Sequence, residues 1–311
     1  MDNKGWKCIF EKDDEIPLII KKSDGGYTYA ATDMTAIKYR FNELGVDESI
    51  YITDVGQRDH FTKIFNAAKF SGFYDSSKQT PTHIGLGLIK GEDGKKMKSR
   101  SGKSVKLHEL LDEAVERAHN LLKERVKDPK VSSYLVDQDL SRIAQTIGMN
   151  SIKYYDLKQN PESTYKFSFD NMLDTKGNTG MYVTYMYVRV ISILRKAFDN
   201  IDDISKIDEQ VKDHLSTTQF SIKSMTPEEF NLAITILRLP ECIDDSITNY
   251  QLSSKICDNL YDLSVKFSEF YQNCQVIGHD ELMPRLMLVY ATKLSMEKHF
   301  HLLGLQTIEC I

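Results

Sequence analysis

Hydrophobic positions in the first part of the chain alternate between strand-like runs and helical stripes. Residues 49–55 (SIYITDV) are rich in β-branched and aromatic residues, and apolar stripes with helical spacing lie on either side of them. The two stripes comprise Met34, Ile37, Phe41 and Leu44, and Phe61, Ile64, Phe65 and Ala68. A second apolar run covers residues 82–89 (THIGLGLI). This alternation predicts a parallel sheet covered by helices.

A further amphipathic helix is predicted after a charged, glycine-containing loop. Its apolar positions are Leu107, Leu110, Leu111, Ala114, Ala118 and Leu121. Only two clear strands precede it, whereas a typical sheet has about five or six. The N-terminal part therefore has the pattern of half a sheet domain.

The pattern changes near residue 128, which predicts an α/β part over residues 1–128 and an all-helical part over residues 129–311. Helical periodicity dominates the second part, around residues 137–158, 179–198, 227–238, 247–273 and 284–303. One helix start is strongly marked: Thr226 can cap it, Pro227 suits its first position, and acidic residues follow. We expect this part to be a helical bundle.

Composition and charge narrow the possible classes. The 311 residues include 41% hydrophobic and 27% charged residues with a net charge of −5, so bulk positive charge does not hold a nucleic acid here. No run approaches the roughly 18 apolar residues of a membrane span, and the first residues lack a signal-peptide core. Five cysteines without C-x-x-C spacing predict reduced thiols rather than disulfides or a zinc site. We expect an intracellular protein without a membrane partner.

The most polarised segment is residues 90–106 (KGEDGKKMKSRSGKSVK), which carries a net charge of +5. Its glycines allow backbone amides to turn inward, and Lys98, Ser99 and Arg100 supply charge and hydrogen-bond donors. These are the ingredients of a phosphate-binding loop, although the Walker pattern does not occur. The alternative is a solvated basic turn, which is common on protein surfaces.

Two shorter segments carry candidate binding residues. In residues 23–33 (SDGGYTYAATD), Asp24-Gly25-Gly26 signals a turn, and Thr32 or Asp33 could simply cap the next helix. Alternatively, Tyr29 and Asp33 face a pocket, where the carboxylate would pair with a guanidinium. Gln57 follows the first strand, and ligands of α/β sheets bind at the carboxyl ends of strands. The alternative is an ordinary polar residue in the first turn of a helix.

Six ordered blocks resemble the second half of arginyl-tRNA synthetases, which are class I ligases. Together they cover about nine-tenths of the chain. The blocks are residues 23–40, 50–61 (IYITDVGQRDHF), 83–114, 152–173 (IKYYDLKQNPESTYKFSFDNML), 177–196 (GNTGMYVTYMYVRVISILRK) and 285–305. The resemblance implies the C-terminal half of a Rossmann-like catalytic domain followed by a helical anticodon-binding domain.

The resemblance also implies roles for individual residues. The basic loop corresponds to the K-M-S-K-S loop, which stabilises the pyrophosphate leaving group while the amino-acid carboxylate attacks the α-phosphate of ATP. The catalytic candidates are Lys95, Lys96, Lys98, Ser99 and Arg100. Tyr29, Asp33 and Gln57 correspond to positions that recognise substrate arginine, with Asp33 facing its guanidinium. His83, Met97 and Lys98 correspond to the ATP side, and Mg2+ is expected with ATP, without any prosthetic group or protein-bound metal.

Arginine tRNA is the macromolecular partner that the resemblance implies. Tyr182, Tyr185 and Arg189 lie at helical spacing on one face, where they could hold splayed anticodon bases. The opposite stripe, Val183, Tyr187, Val190 and Leu194, is then predicted to be core. A tyrosine stripe can also serve packing alone, so this alternative stays open.

The resemblance covers only the second half of the family. The H-I-G-H motif and the first half of the nucleotide fold are not among the blocks, and His83-Ile84-Gly85-Leu86 lacks the second histidine. We therefore expect a cytoplasmic fragment of an arginine–tRNA ligase, inactive without the N-terminal half. The alternatives are another class I synthetase, of glutamyl or cysteinyl type, and a non-catalytic tRNA-binding module. A glutamate pocket would need a cation where Asp33 lies.

Overall fold

The computed structural model describes residues 5–9, 17–91, 94, 106–127, 140–198, 204–217, 224–248, 250, 253–279 and 282–309. The chain divides into two compact units. The α/β unit comprises Met1–Ile89 and Pro161–Tyr165, and the helical unit comprises Lys90–Asn160 and Lys166–Ile311. The predicted boundary after residue 128 lies outside the described residues and stays a prediction.

The α/β unit contains an antiparallel pair and a parallel pair of strands. Its elements are β1 (Lys7–Ile9), β2 (Leu18–Lys21), α1 (Tyr29–Lys38), β3 (Glu48–Asp54), α2 (Arg58–Phe70) and β4 (Thr80–Leu86). β3 and β4 pair in parallel with Glu48 opposite Thr80 and Asp54 opposite Leu86. Both predicted central strands and both flanking helices are confirmed. The β1–β2 pair was not predicted, because three or four residues show too little alternation.

The core of the α/β unit lies between β3 and the two helices. Met34, Ile37, Phe61 and Ile64 are buried in it, as the stripes predict. Leu44, however, is 57% exposed, so its assignment to the core face was wrong. The chain leaves α1 through a π-helical turn at Tyr39–Glu43, whose wider winding rotates later residues off the helical stripe.

The segment before α1 forms the predicted turn but not the predicted cap. Gly25 has φ +89°, and the Lys22 amide donates to the Gly26 carbonyl at 2.8 Å. The cap of α1 is Thr28, whose hydroxyl donates to the Ile19 carbonyl at 2.5 Å. Thr32 and Asp33 therefore lie inside the helix, and their reading as helix caps was wrong.

The helical unit is built from nine helices within the described residues, together with strand residues of β5 (Ile89–Lys90) and β6 (Tyr165–Lys166). Its helices are α3 (Leu107–Val126), α4 (Leu140–Leu157), α5 (Phe169–Met172), α6 (Gly180–Ala197), α7 (Ile204–Thr217), α8 (Pro227–Leu237), α9 (Leu239–Thr248), α10 (Ser253–Asn273) and α11 (Leu282–Leu302). The expectation of a helical bundle is confirmed. α7 and α9 were not predicted as separate helices.

The core of the helical unit surrounds α6. Val183, Tyr187, Val190 and Leu194 are all buried, which confirms the predicted core stripe. They belong to one hydrophobic cluster with α10 and α11 residues such as Phe267. On α3, Ala114 and Ala118 are buried as predicted, whereas Leu107 and Leu121 are exposed and Leu122 completes the stripe. A 3.6-residue period favours Leu122 over Leu121, since Leu122 lies four residues after Ala118.

Two ion pairs with buried cations link the helices of this unit. Arg285 of α11 donates from Nε to Glu229 of α8 at 2.6 Å, and both side chains are at most 9% exposed. Glu229 also accepts from the Thr226 backbone amide at 2.7 Å, which confirms the predicted helix start. Lys293, 2% exposed, donates to Asp208 of α7 at 2.9 Å and thereby attaches the helix that the sequence analysis missed.

Candidate functional site

The carboxyl end of β3 leads directly into the first candidate site. Asp54 accepts a hydrogen bond from the Gly56 amide at 2.8 Å and starts a short 3-10 turn over Val55–Gln57. Gly85 of β4 leaves room for this turn, because an added Cβ would lie 2.9 Å from Val55. Gln57 is exposed at the start of α2, at the strand end where the sequence analysis expects a ligand.

Asp33 is held next to the same end of α2. The Asp33 Oδ2 atom lies 2.8 Å from Nε2 of His60, which follows Gln57 by one helical turn. Tyr29 lies one turn before Asp33 on α1 and is 88% exposed. The three predicted arginine-site residues are therefore connected through neighbouring turns of α1 and α2. His60 was not among them, because the partner of Asp33 is 27 residues away in sequence.

His83 faces α2 from the adjacent strand β4. Its ring stacks on Phe61 at a centroid distance of 4.8 Å, and its Nε2 lies 2.8 Å from the Thr53 hydroxyl. Burial lowers the pKa of His83, and the charge of Arg58 lowers it further. The ring is therefore neutral at pH 7. Its predicted role beside ATP stays a prediction.

A short segment, Pro161–Tyr165, completes the α/β unit from a distant part of the chain. The Gly87 amide donates to the Pro161 carbonyl at 2.7 Å, and the Tyr165 amide donates to the Leu88 carbonyl at 3.1 Å. A side chain on Gly87 would collide with the Ser163 carbonyl. Glu162 forms an ion pair with Arg58, next to Gln57. Sequence reasoning missed this contact, since nothing local pairs residues a hundred positions apart.

Most of the basic loop, including residues 95–105, lies outside the described residues. This concerns the catalytic candidates Lys95, Lys96, Lys98, Ser99 and Arg100 and the ATP-side candidate Met97. The structure describes only its flanks. It follows β5, and it precedes α3, where the Lys106 amide donates to Glu109 at 3.0 Å.

The predicted tRNA-binding residues lie on α6 of the helical unit. Arg189 donates to the Tyr185 hydroxyl at 3.0 Å and packs over the Tyr185 and Tyr271 rings at 4.9 and 5.0 Å. Tyr182 packs edge-on against Tyr261 at 5.8 Å. All three predicted residues are half-buried, so each makes internal contacts and keeps an accessible edge.

An open cavity of about 490 Å3 adjoins this face. Arg189, Lys196 and Tyr271 line it, together with the chain after α10 from Cys274 to Ile277. Tyr271 is 45% exposed. Sequence reasoning missed Tyr271 because it lies on α10, 82 positions after Arg189, and only folding brings the two together.

Neither a metal centre nor a membrane segment is found in the described ranges. They contain no group of three or more His, Cys, Asp or Glu side chains placed to hold a metal ion. No helix among these residues is both long and apolar enough to span a bilayer.

Comparison with known proteins identifies the class to which this fold belongs. Residues 1–169 match the family described as tRNA synthetases class I (R), catalytic domain, and residues 183–311 match the DALR anticodon binding domain. The fold is thus that of a class I tRNA synthetase catalytic domain followed by an anticodon-binding domain. The chain belongs to the arginyl-tRNA synthetase family.

Individual relatives agree with this assignment. The chain is 41% identical over 310 residues to the chloroplastic/mitochondrial arginine–tRNA ligase of Arabidopsis thaliana, covering 99% of this chain and 46% of the relative. It is 40% identical to the cytoplasmic arginine–tRNA ligase of the same plant, covering 50% of it. The arginyl-tRNA synthetase structure from Plasmodium falciparum superposes with a TM-score of 0.80 at 32% identity, covering 100% of this chain and 50% of that one. The chain spans about half the length of these relatives.

Proposed function

We propose that this chain provides the C-terminal half of an arginine–tRNA ligase. The observation that carries the proposal is the Asp33 carboxylate, held by His60 beside Gln57 at the carboxyl end of β3. A carboxylate suits a guanidinium, which it can meet with two hydrogen bonds. It is the wrong charge for a glutamate substrate, which argues against a glutamyl-type synthetase.

The proposed reaction has two steps. The arginine carboxylate attacks the α-phosphate of ATP, which forms arginyl-adenylate and releases pyrophosphate. A terminal ribose hydroxyl of arginine tRNA then attacks the arginyl carbonyl, and AMP leaves. Tyr29, Asp33 and Gln57 would orient arginine, and His83 would pack near ATP, which carries Mg2+ as part of the substrate.

The basic loop would act on the leaving group. Positive charge next to a departing pyrophosphate stabilises the charge that develops in the transition state. Its net charge of +5 in a chain of net charge −5 supports this role. We assign it to Lys95, Lys96, Lys98, Ser99 and Arg100, with Met97 on the ATP side.

Aminoacylation assays test the proposal. The chain alone should not charge arginine tRNA, whereas the chain fused to the first half of the cytoplasmic Arabidopsis relative should. Charging by the chain alone at the rate of a full-length relative would contradict the half-enzyme assignment. Charging of a glutamate or cysteine tRNA by the fusion would contradict the arginine assignment. We also propose a cytoplasmic location, which cell fractionation tests.

Arg189 and Tyr185 of α6 and Tyr271 of α10 form a face that supports binding of arginine tRNA through splayed bases. An aromatic residue that stacks on a base typically contributes about 1–3 kcal/mol to binding. We therefore expect Tyr271→Ala and Arg189→Gln each to weaken binding of arginine tRNA about tenfold in filter-binding assays at fixed salt.

The matched control is Lys212→Gln, which removes one exposed charge from α7 of the same unit. Its affinity should stay within about twofold of the unchanged chain, because Lys212 is not among the residues that line the cavity beside Arg189. Equal losses in the control and in Arg189→Gln would contradict an interface on this face. Binding that is selective but independent of arginine and ATP would favour the non-catalytic tRNA-binding module.

A further inference from the structure

The Asp33–His60 pair has a geometry that fixes both the carboxylate and the imidazole. Nε2 of His60 lies 2.8 Å from Oδ2 of Asp33, and this is the polar contact that the described structure gives that carboxylate. An ionised carboxylate only accepts hydrogen bonds, so Nε2 must carry the hydrogen. The His60 and Asp33 side chains are 35% and 34% exposed, so the carboxylate is partly accessible to a ligand.

We propose that His60 is a positioning residue that orients the Asp33 carboxylate toward the guanidinium of arginine. The inference rests on the proposed function and adds a residue to its arginine site. A carboxylate can accept about four hydrogen bonds, so Oδ2 can receive both His60 and one guanidinium N–H. With its rotation fixed by His60, Asp33 loses less conformational freedom when arginine binds.

A role in stability alone explains the Asp33–His60 hydrogen bond less well than a positioning role does. Ion pairs with this exposure contribute only about 0–1 kcal/mol to stability. The contact between α1 and α2 is already formed by Met34, Ile37, Phe61 and Ile64, all of which are buried. The His60 ring itself is held by Phe61, edge-on at a centroid distance of 5.4 Å. The pair therefore serves to orient the Asp33 carboxylate rather than to hold α1 against α2.

The test compares His60→Phe, His60→Gln and Thr62→Ala, each in the chain fused to the first half of the cytoplasmic Arabidopsis relative, by calorimetric titration with arginine and with citrulline, its neutral analogue. We expect His60→Phe to raise the Kd for arginine about five- to tenfold, because a hydrogen bond to a charged group is lost. His60→Gln can still donate from its amide and should stay within about twofold of the unchanged chain. Thr62→Ala removes an exposed hydroxyl whose hydrogen bond goes to the Arg58 carbonyl of its own helix at 3.0 Å, and it should have no effect.

Citrulline binding should change less than arginine binding, because it lacks the charge that Asp33 recognises. Unchanged arginine binding in His60→Phe, or equal losses in His60→Phe and His60→Gln, would overturn the positioning role. A circular dichroism melt of each variant shows whether a loss comes from unfolding.

Nitrogen-15 spectra of the labelled histidines test the pair without any ligand. The unchanged chain should show a hydrogen-bonded, slowly exchanging Nε2 proton on His60, and Asp33→Ala should speed the exchange of that proton. Equal exchange in both chains would overturn the inference even if arginine binds. A hydrogen-bonded Nε2 proton in the fusion with the first half, if that fusion binds no arginine, would instead contradict the proposed function, and with it the guanidinium as the ligand.

Discussion

Replacing Arg285 by leucine should lower the free energy of unfolding by about 3–5 kcal/mol, the usual cost of breaking a buried ion pair. Arg285 donates to Glu229 and to the Gln275 carbonyl, each at 2.6 Å. Its loss would leave a buried carboxylate without its cation and remove the ion pair between α11 and α8. Urea unfolding followed by circular dichroism measures the change.

The exposed pair of Arg238 with Glu241 provides the matched control. These side chains are 58% and 68% exposed and 3.7 Å apart. Arg238→Leu should change the free energy of unfolding by less than about 1 kcal/mol, as is typical of surface pairs. A loss below 1 kcal/mol in Arg285→Leu as well would show that Glu229 finds other partners.

The effect of Arg285→Leu should depend on pH. Burial opposes ionisation of Glu229, but its bonds to the Thr226 amide and to Arg285 outweigh burial and lower the pKa of the carboxyl. A lowered carboxyl pKa stabilises the fold above the unfolded value of about 4.3, and this stabilisation is lost as pH falls through the folded pKa. The difference in unfolding free energy between the two proteins should therefore narrow below about pH 4. A constant difference from pH 7 to pH 3 would contradict this account.

Gly148→Ala should destabilise the helical unit by about 1–3 kcal/mol, the cost of overpacking a well-packed contact. In most helix interiors the same change is stabilising by about 1 kcal/mol, because alanine is the better helix former. Here an added Cβ would lie 2.8 Å from the Val115 Cα and N atoms. These are backbone atoms of α3, so only separation of α3 from α4 can make room.

Thermal unfolding of Gly148→Ala checks this expectation, with Gln145→Ala as the control. Gln145 is exposed on the same helix one turn earlier, so its replacement should leave stability within about 0.5 kcal/mol. A stabilised Gly148→Ala protein would show that α3 and α4 can move apart without cost.

Most elements of the fold could be predicted from local pattern. The runs 49–55 and 82–89 correspond to β3 and β4, and the start of α8 follows from Thr226 and Pro227. These features depend on neighbours within one or two turns. The errors have local geometric causes as well: a π-helical turn moved Leu44 into solvent, and an earlier cap at Thr28 placed Asp33 inside α1.

The candidate sites were only partly predictable. Tyr29, Asp33 and Gln57 were proposed from the motifs that contain them, whereas His60, Glu162 and Tyr271 were not. Each of these three contacts a residue that lies far away in the sequence. His60 contacts Asp33, Glu162 contacts Arg58, and Tyr271 contacts Arg189. Neither periodicity nor composition carries information about such a partner.

The sequence by itself determined the arrangement of an α/β part before a helical part, the family, and the residue types at the proposed arginine site. Hydrophobic periodicity and motif order are local properties, so they can be read without a fold. Only the tertiary structure decided that His60 holds Asp33, that Pro161–Tyr165 completes the α/β unit, and that Tyr271 meets Arg189 beside a cavity. Those outcomes depend on the packing of distant segments, which many sequences with the same local pattern could satisfy differently.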